Sequence, residues 1–128
     1  MPTFNEGTRN RLADSLADAF DSGTLEIRTG AAPASAGTAT GTLLASITLP
    51  ATAFSAAATG AAAKNGTWSA TATDTGTAGY ARFKNGADTL RMDVSVGVGS
   101  GELQLSTLSI ISGGTVTVST FTITQPAS

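Results

Sequence analysis

The apolar residues of this chain change their spacing at one point, and that change limits what it can fold into. Up to Phe20 they recur at three- and four-residue intervals; from Thr24 onward they alternate. A helix repeats about every 3.6 residues and a strand every two, so the two patterns belong to different elements.

Residues 5–21 read as a helix. Leu12, Leu16, Ala19 and Phe20 fall on one stripe, while Arg11, Asp14, Asp18 and Asp21 point elsewhere. Thr3 and Glu6 have capping-box spacing, Asn5 is a rival N-cap, and Gly23 sits where a C-terminal stop belongs. The stripe either covers the open end of a β-sheet or docks on a neighbouring subunit. Arg9 and Arg11 face Asp14 and Asp18. They read as local salt bridges worth about 0.2–0.5 kcal/mol each, or as a charged arm for an acidic partner.

Strand-like alternation follows. Leu25 and Ile27 alternate with Glu26 and Arg28 up to Gly30, and Ala45, Ile47 and Leu49 share a face up to Pro50. Between them, residues 31–42 are a loop by composition. Residues 51–65 are alanine-rich, but Thr52, Phe54 and Gly60 favour an extended segment and a loop. Trp68, Ala70 and Ala72 alternate with Thr67, Ser69 and Thr71. Residues 79–84 lead to Asn85-Gly86, a hairpin signal, and then Leu90, Met92, Val94, Val96 and Val98 line one face. Leu103 and Leu105 precede Leu108 and Ile110, with a turn at Gly113-Gly114.

In the last strand Val116 and Val118 are in one phase, Phe121 and Ile123 in the other. A strand of period two cannot bury both pairs on one face, which predicts a β-bulge near Ser119-Thr120 or a strand that changes sheets. About eight short strands with turns between them predict an all-β fold: an antiparallel β-sandwich or jelly-roll-like domain over 24–128, preceded by an N-terminal helical arm over 1–23.

Composition narrows the function. The chain has no histidine and no cysteine, which removes thiol catalysis, histidine-dependent hydrolysis, disulfides and the usual zinc sites. Only 12% of its 128 residues are charged and the net charge is −2, giving no long-range pull on nucleic acid or anionic lipid. Eight of the sixteen charges lie between Glu6 and Arg28, and none follows Glu102. So few charges suit either a subunit covered by its assembly or a neutral, threonine-covered surface that stays soluble. No stretch is long and apolar enough for a transmembrane helix, and Glu6, Arg9, Arg11 and Asp14 stand where a signal peptide would be apolar.

The remaining candidates weigh toward structure. The glycine-rich run 97–101 lacks a P-loop lysine and leads into a strand, so it reads as a connection. Asp74, Asp88, Asp93 and Glu102 lack calcium-loop spacing and read as surface charges. Arg82, Lys84 and Arg91, with Tyr80 and Phe83 nearby, predict cross-strand ion pairs or partner contacts rather than a nucleic-acid site. No enzyme activity, metal, cofactor or small-molecule substrate is expected.

The order of these pieces resembles a family. Leu25-Glu26-Ile27-Arg28-Thr29-Gly30-Ala31-Ala32-Pro33 followed by Ala39-Thr40-Gly41-Thr42-Leu43-Leu44-Ala45 is similar to a group of small tailed-bacteriophage virion proteins. So are Gly76-Thr77-Ala78 with Ala81-Arg82-Phe83, Asp93-Val94-Ser95-Val96-Gly97, Gly113-Gly114-Thr115-Val116 and Phe121-Thr122-Ile123-Thr124-Gln125-Pro126. The resemblance covers nearly all of the chain after residue 24. It implies a minor capsid or decoration (cement) protein, made in the host cytoplasm and bound to the capsid exterior. Its partners would be itself, as a homotrimer, and the major capsid protein. The expected contact residues are Leu12, Leu16, Phe20, Arg9 and Arg11. The alternative is a neck, tail or head-fibre module that binds a host receptor or glycan through loops 31–42 and 73–78, with Trp68 and Tyr80 stacking on sugar.

Overall fold

The computed structural model describes residues 5–34, 37, 39–86, 89–98 and 103–124. Expectations resting on Thr3, Asp88, 99–102, Gln125 and Pro126 lie outside the described residues. The fold is mostly β with one N-terminal helix, as the change of period predicts.

Helix α1 spans Glu6–Ala19. Of the two candidate caps, Asn5 serves, its Oδ1 accepting from the Thr8 N–H at 2.9 Å. The helix closes at Phe20, and the left-handed residue just beyond is Ser22 (φ 60°), not Gly23. Gly23 has a different duty. A Cβ there would overlap the Lys84 carbonyl oxygen, so only glycine lets the chain pass this close to the strand it is about to join.

The strands are β1 (Thr24–Arg28), β2 (Leu43–Thr48), β3 (Ala61–Ala63), β4 (Ser69–Thr71) and β5 (Gly76–Thr77), then β6 (Tyr80–Lys84), β7 (Arg91–Gly97), β8 (Leu103–Leu105), β9 (Ser109–Ile110) and β10 (Thr115–Thr124). The large sheet runs β2-β1-β6-β7-β8-β10-β3, with β4 also on β10. It curls until β2 meets the end of β4: the Thr73 N–H and hydroxyl both donate to the Leu44 carbonyl, at 2.8 and 3.4 Å. The small β5–β9 pair continues the β4–β10 pairing. The register passes from Thr77↔Ser109 to Thr71↔Thr115 without a net shift, so one ribbon is interrupted rather than two formed.

Two details differ from the sequence expectation. The β7–β8 pairing is parallel, though only Val96↔Leu103 and Gly97↔Gln104 take part, so the sheet is not purely antiparallel. The β6–β7 hairpin ends at Lys84↔Arg91, which makes its connection longer than an Asn-Gly turn. Asn85 closes that connection through its side chain, Oδ1 accepting from the N–H groups of Thr89 (2.8 Å) and Leu90 (3.0 Å).

β10 contains the predicted bulge. Its pairing with β8 slips between Val118 and Thr120. The strand also changes neighbours, with β4 along its first residues and β3 along its last. Val116, Val118, Phe121 and Ile123 are all buried as a result.

The core is aromatic at its centre. Phe83 lies 4.8 Å from Phe121, 5.8 Å from Trp68 and 5.8 Å from Phe20, ring centre to ring centre. Phe54 completes the cluster at 5.3 Å from Trp68. Such tilted and edge-on pairs contribute about 0.5–1.5 kcal/mol each beyond burial. Phe20 anchors the helix here, while Ala13 and Ala17 let it approach closely.

A row of polar side chains fastens the helix along a second line. Asn10, Asp14 and Asp21 accept from the backbone N–H groups of Gly60 (2.7 Å), Ala57 (2.8 Å) and Ala53 (2.9 Å). The alanine-rich segment thus runs antiparallel to the helix, extended as expected. Three of its backbone donors are met by acceptors of the helix and of Asp21 just beyond it.

Candidate functional site

The expected partner stripe divides when placed on the structure. Phe20 is 1% exposed and belongs to the core, so it is not a contact surface. Leu12 and Leu16 are 39% and 38% exposed and lie on the outward edge of the helix. Arg11 is exposed, and Arg9 is half-buried with its Nε unpartnered. Among the described residues no ion pair joins either arginine to Asp14 or Asp18; Asp14 is engaged with the Ala57 amide instead. Ala13 and Ala17 face in while the larger leucines face out, the reverse of what burial alone would select.

A second feature lies on the outer face of the β1–β6–β7 sheet. Asp93, Arg82 and Glu26 stand side by side across β7, β6 and β1. Arg82 holds Asp93 with two bonds, Nε to Oδ1 at 2.7 Å and Nη2 to Oδ2 at 3.0 Å. Glu26 receives Arg28 Nε and Lys84 Nζ, each at 3.0 Å, on its two oxygens. Burial pushes the Glu26 carboxyl up, but the Lys84 and Arg28 hydrogen bonds and charges outweigh it and hold it below the usual range. Hydrogen bonding to Asp93 raises the Arg82 guanidinium further, against burial.

The expected cross-strand ion pair is present at Arg82–Asp93. The partner of Lys84 is Glu26, on a strand far away in sequence, which no local pattern displays. Gly37 and Thr40, in the candidate receptor loop, lie against this face. The Tyr80 hydroxyl donates to the Thr40 carbonyl at 2.9 Å and accepts from its N–H at 3.1 Å, and Arg91 Nη1 reaches the Gly37 carbonyl at 3.4 Å.

The hollows offer little chemistry. A cleft of about 320 Å³ between the helix and 52–56 holds Asp14 and Asp18 with Thr52 and Ser55. A groove of about 200 Å³ is lined chiefly by Ile110, Ile111, Val116 and neighbouring hydroxyls. Among the described residues no three acids gather at metal-binding distance. Trp68 and Tyr80 are 0% and 2% exposed, so neither ring is free to stack on a sugar.

No protein-family model matches this chain, and neither the curated proteins nor the solved structures compared with it include a match.

Proposed function

We propose that this protein is a structural subunit of a bacteriophage virion, a minor capsid or decoration protein that clamps the exterior of the shell. The observation that carries this reading is an inversion of the usual surface. Glu26 and Arg82 are buried on the outer face of the sheet and neutralised by ion pairs, while Leu90, Val98 and Ile111 are 50%, 57% and 66% exposed. Single exposed apolar residues are ordinary. Here they accompany faces of threonine and serine and a last strand with no charge, a surface that costs little to desolvate where a neighbour's hydroxyls pair with it.

The mechanism is interface burial. A shell under internal pressure fails where subunits part, and a clamp that touches more than one subunit adds buried area across the seam. Repetition by symmetry lets many weak contacts act together. The neutral strand faces meet the shell, on which three copies seat together as a trimer.

The test is co-sedimentation of the full chain with capsid shells assembled without it. Saturation at a fixed ratio to the major capsid protein, with later release of DNA on heating, is the expected result. A chain that ignores shells but adheres to host cells would overturn the reading in favour of host attachment.

A further inference from the structure

Helix α1 has one acid, Glu6, in its first turn, as its dipole favours, but the rest of its charge runs the other way. Arg9 and Arg11 stand in its first half, Asp18 lies in its last turn, and that turn has no base. An isolated helix prefers acids early and bases late. Asp14 and Asp21 are accounted for by the amides they receive, but Asp18 and Arg11 are exposed and not joined to each other. They are seven residues apart, beyond the three- or four-residue spacing at which side chains of one helix meet.

The exposed face has a definite layout. At about 100° per residue, Leu12 and Leu16 form one edge, Arg11 and Asp18 the other, and Thr8 and Ser15 lie between, with half-buried Ala19 beside them. A twofold axis near Asp14 and Ser15, on the C-terminal side of the helix midpoint, sets a second helix antiparallel to the first. It matches both edges in one operation: Leu12 meets Leu16 of the partner subunit, and Arg11 meets Asp18 of the partner subunit. The two dipoles then oppose, so each basic half lies beside an acidic half. The small central residues let the axes approach.

We propose that two copies of this chain associate through α1 in this antiparallel, twofold arrangement, with Leu12 and Leu16 as its apolar edge and Arg11–Asp18 as its reciprocal charged edge. This goes beyond the shell reading and does not depend on it. A single helix pair covers less than the roughly 1,200 Å² of a stable complex, so the contact is weak in solution. Copies held side by side on a shell would experience it at high effective concentration, linking neighbouring clamps.

Sedimentation equilibrium of the full chain, carried to about 1 mM, tests this. A monomer–dimer equilibrium that weakens with salt is expected. Arg11→Asp and Asp18→Arg each weaken dimerisation about tenfold by setting like charges together, and the double exchange restores it. Circular dichroism establishes that the variants are folded. A monomer throughout, a trimer as the only association, or a dimer indifferent to both single exchanges overturns the proposal. Shell binding by the single variants separates the two ideas. Lost dimers with retained saturation leave the decoration reading standing, whereas a dimer that behaves as described yet ignores shells removes that reading alone.

Discussion

Arg82 and Asp93 face each other across β6 and β7 in a two-bonded pair, with the guanidinium only 2% exposed. A buried ion pair of this kind gives little net stability over an apolar pair of the same shape, but breaking it is expensive. Its geometry also admits one register: a one-residue slip of β6 would turn Arg82 to the core face and Phe83 outward, and a slip of β7 would turn Asp93 to the core face.

Removing one partner is therefore far worse than removing both. Asp93→Ala should lower unfolding stability by about 3–5 kcal/mol. Arg82→Met with Asp93→Leu should recover most of that loss. Urea unfolding of Arg82→Met, Asp93→Leu and the double gives the coupling directly. Simple additivity of the single losses would show that the pair is not a unit.

Glu26 should contribute to the acid limit of the fold. Its carboxyl is held below its ordinary value of 4.5 by Lys84 and Arg28. A carboxyl depressed in the folded state gives stability that is complete above the unfolded value. That stability is lost as pH falls from about 4.5 through the lower folded value. Glu26→Gln should cost about 1–3 kcal/mol near neutral pH and flatten the decline below pH 4.5. An unchanged acid limb in the variant would assign the decline to other carboxyls.

What could be read in the sequence depended on whether the cause was local. The bulge at Ser119 was visible because Val116 and Val118 are out of phase with Phe121 and Ile123, and both pairs must be buried. The helix was visible too, but its buried face was not. Leu12 and Leu16 make one stripe; Ala13, Ala17 and Phe20 make another beside it. The choice between them came from the amides of Ala53, Ala57 and Gly60, which take Asp21, Asp14 and Asn10 as acceptors. Those donors belong to a distant segment. The burial of Glu26 was hidden for the same reason: its alternation with Leu25 and Ile27 marks an outward residue, and its partner Lys84 arrives with β6.

The acceptor row gives its own prediction. Asp14→Ala and Asp21→Ala each strand a backbone N–H at the helix interface and should cost about 1–3 kcal/mol. Asn5→Ala removes only a cap and should cost about 1 kcal/mol. Hydrogen exchange at the Ala57 and Ala53 amides should rise selectively in the matching aspartate variant. Equal losses for all three substitutions would mean that the row does not fasten the helix.

Deleting Ser119 is the sharpest test of how β10 serves two sides of the core. The bulge absorbs one residue between Val118 and Thr120, and the Ser119 hydroxyl bonds the Gln104 carbonyl at 3.0 Å. Without that residue, Phe121 and Ile123 shift phase and turn outward, and Phe121 leaves its contacts with Phe83, Trp68 and Phe54. Losing one buried phenylalanine costs about 3–5 kcal/mol, and the isoleucine adds about 2–5 more. That sum is comparable to the whole stability of a domain this size, so the deletion variant should not fold. Ser119→Ala keeps the residue count and removes one partly exposed hydrogen bond, so it should stay folded within about 1 kcal/mol of the parent. A deletion variant that unfolds cooperatively with near-parent stability would show that β10 can bury both pairs without the bulge.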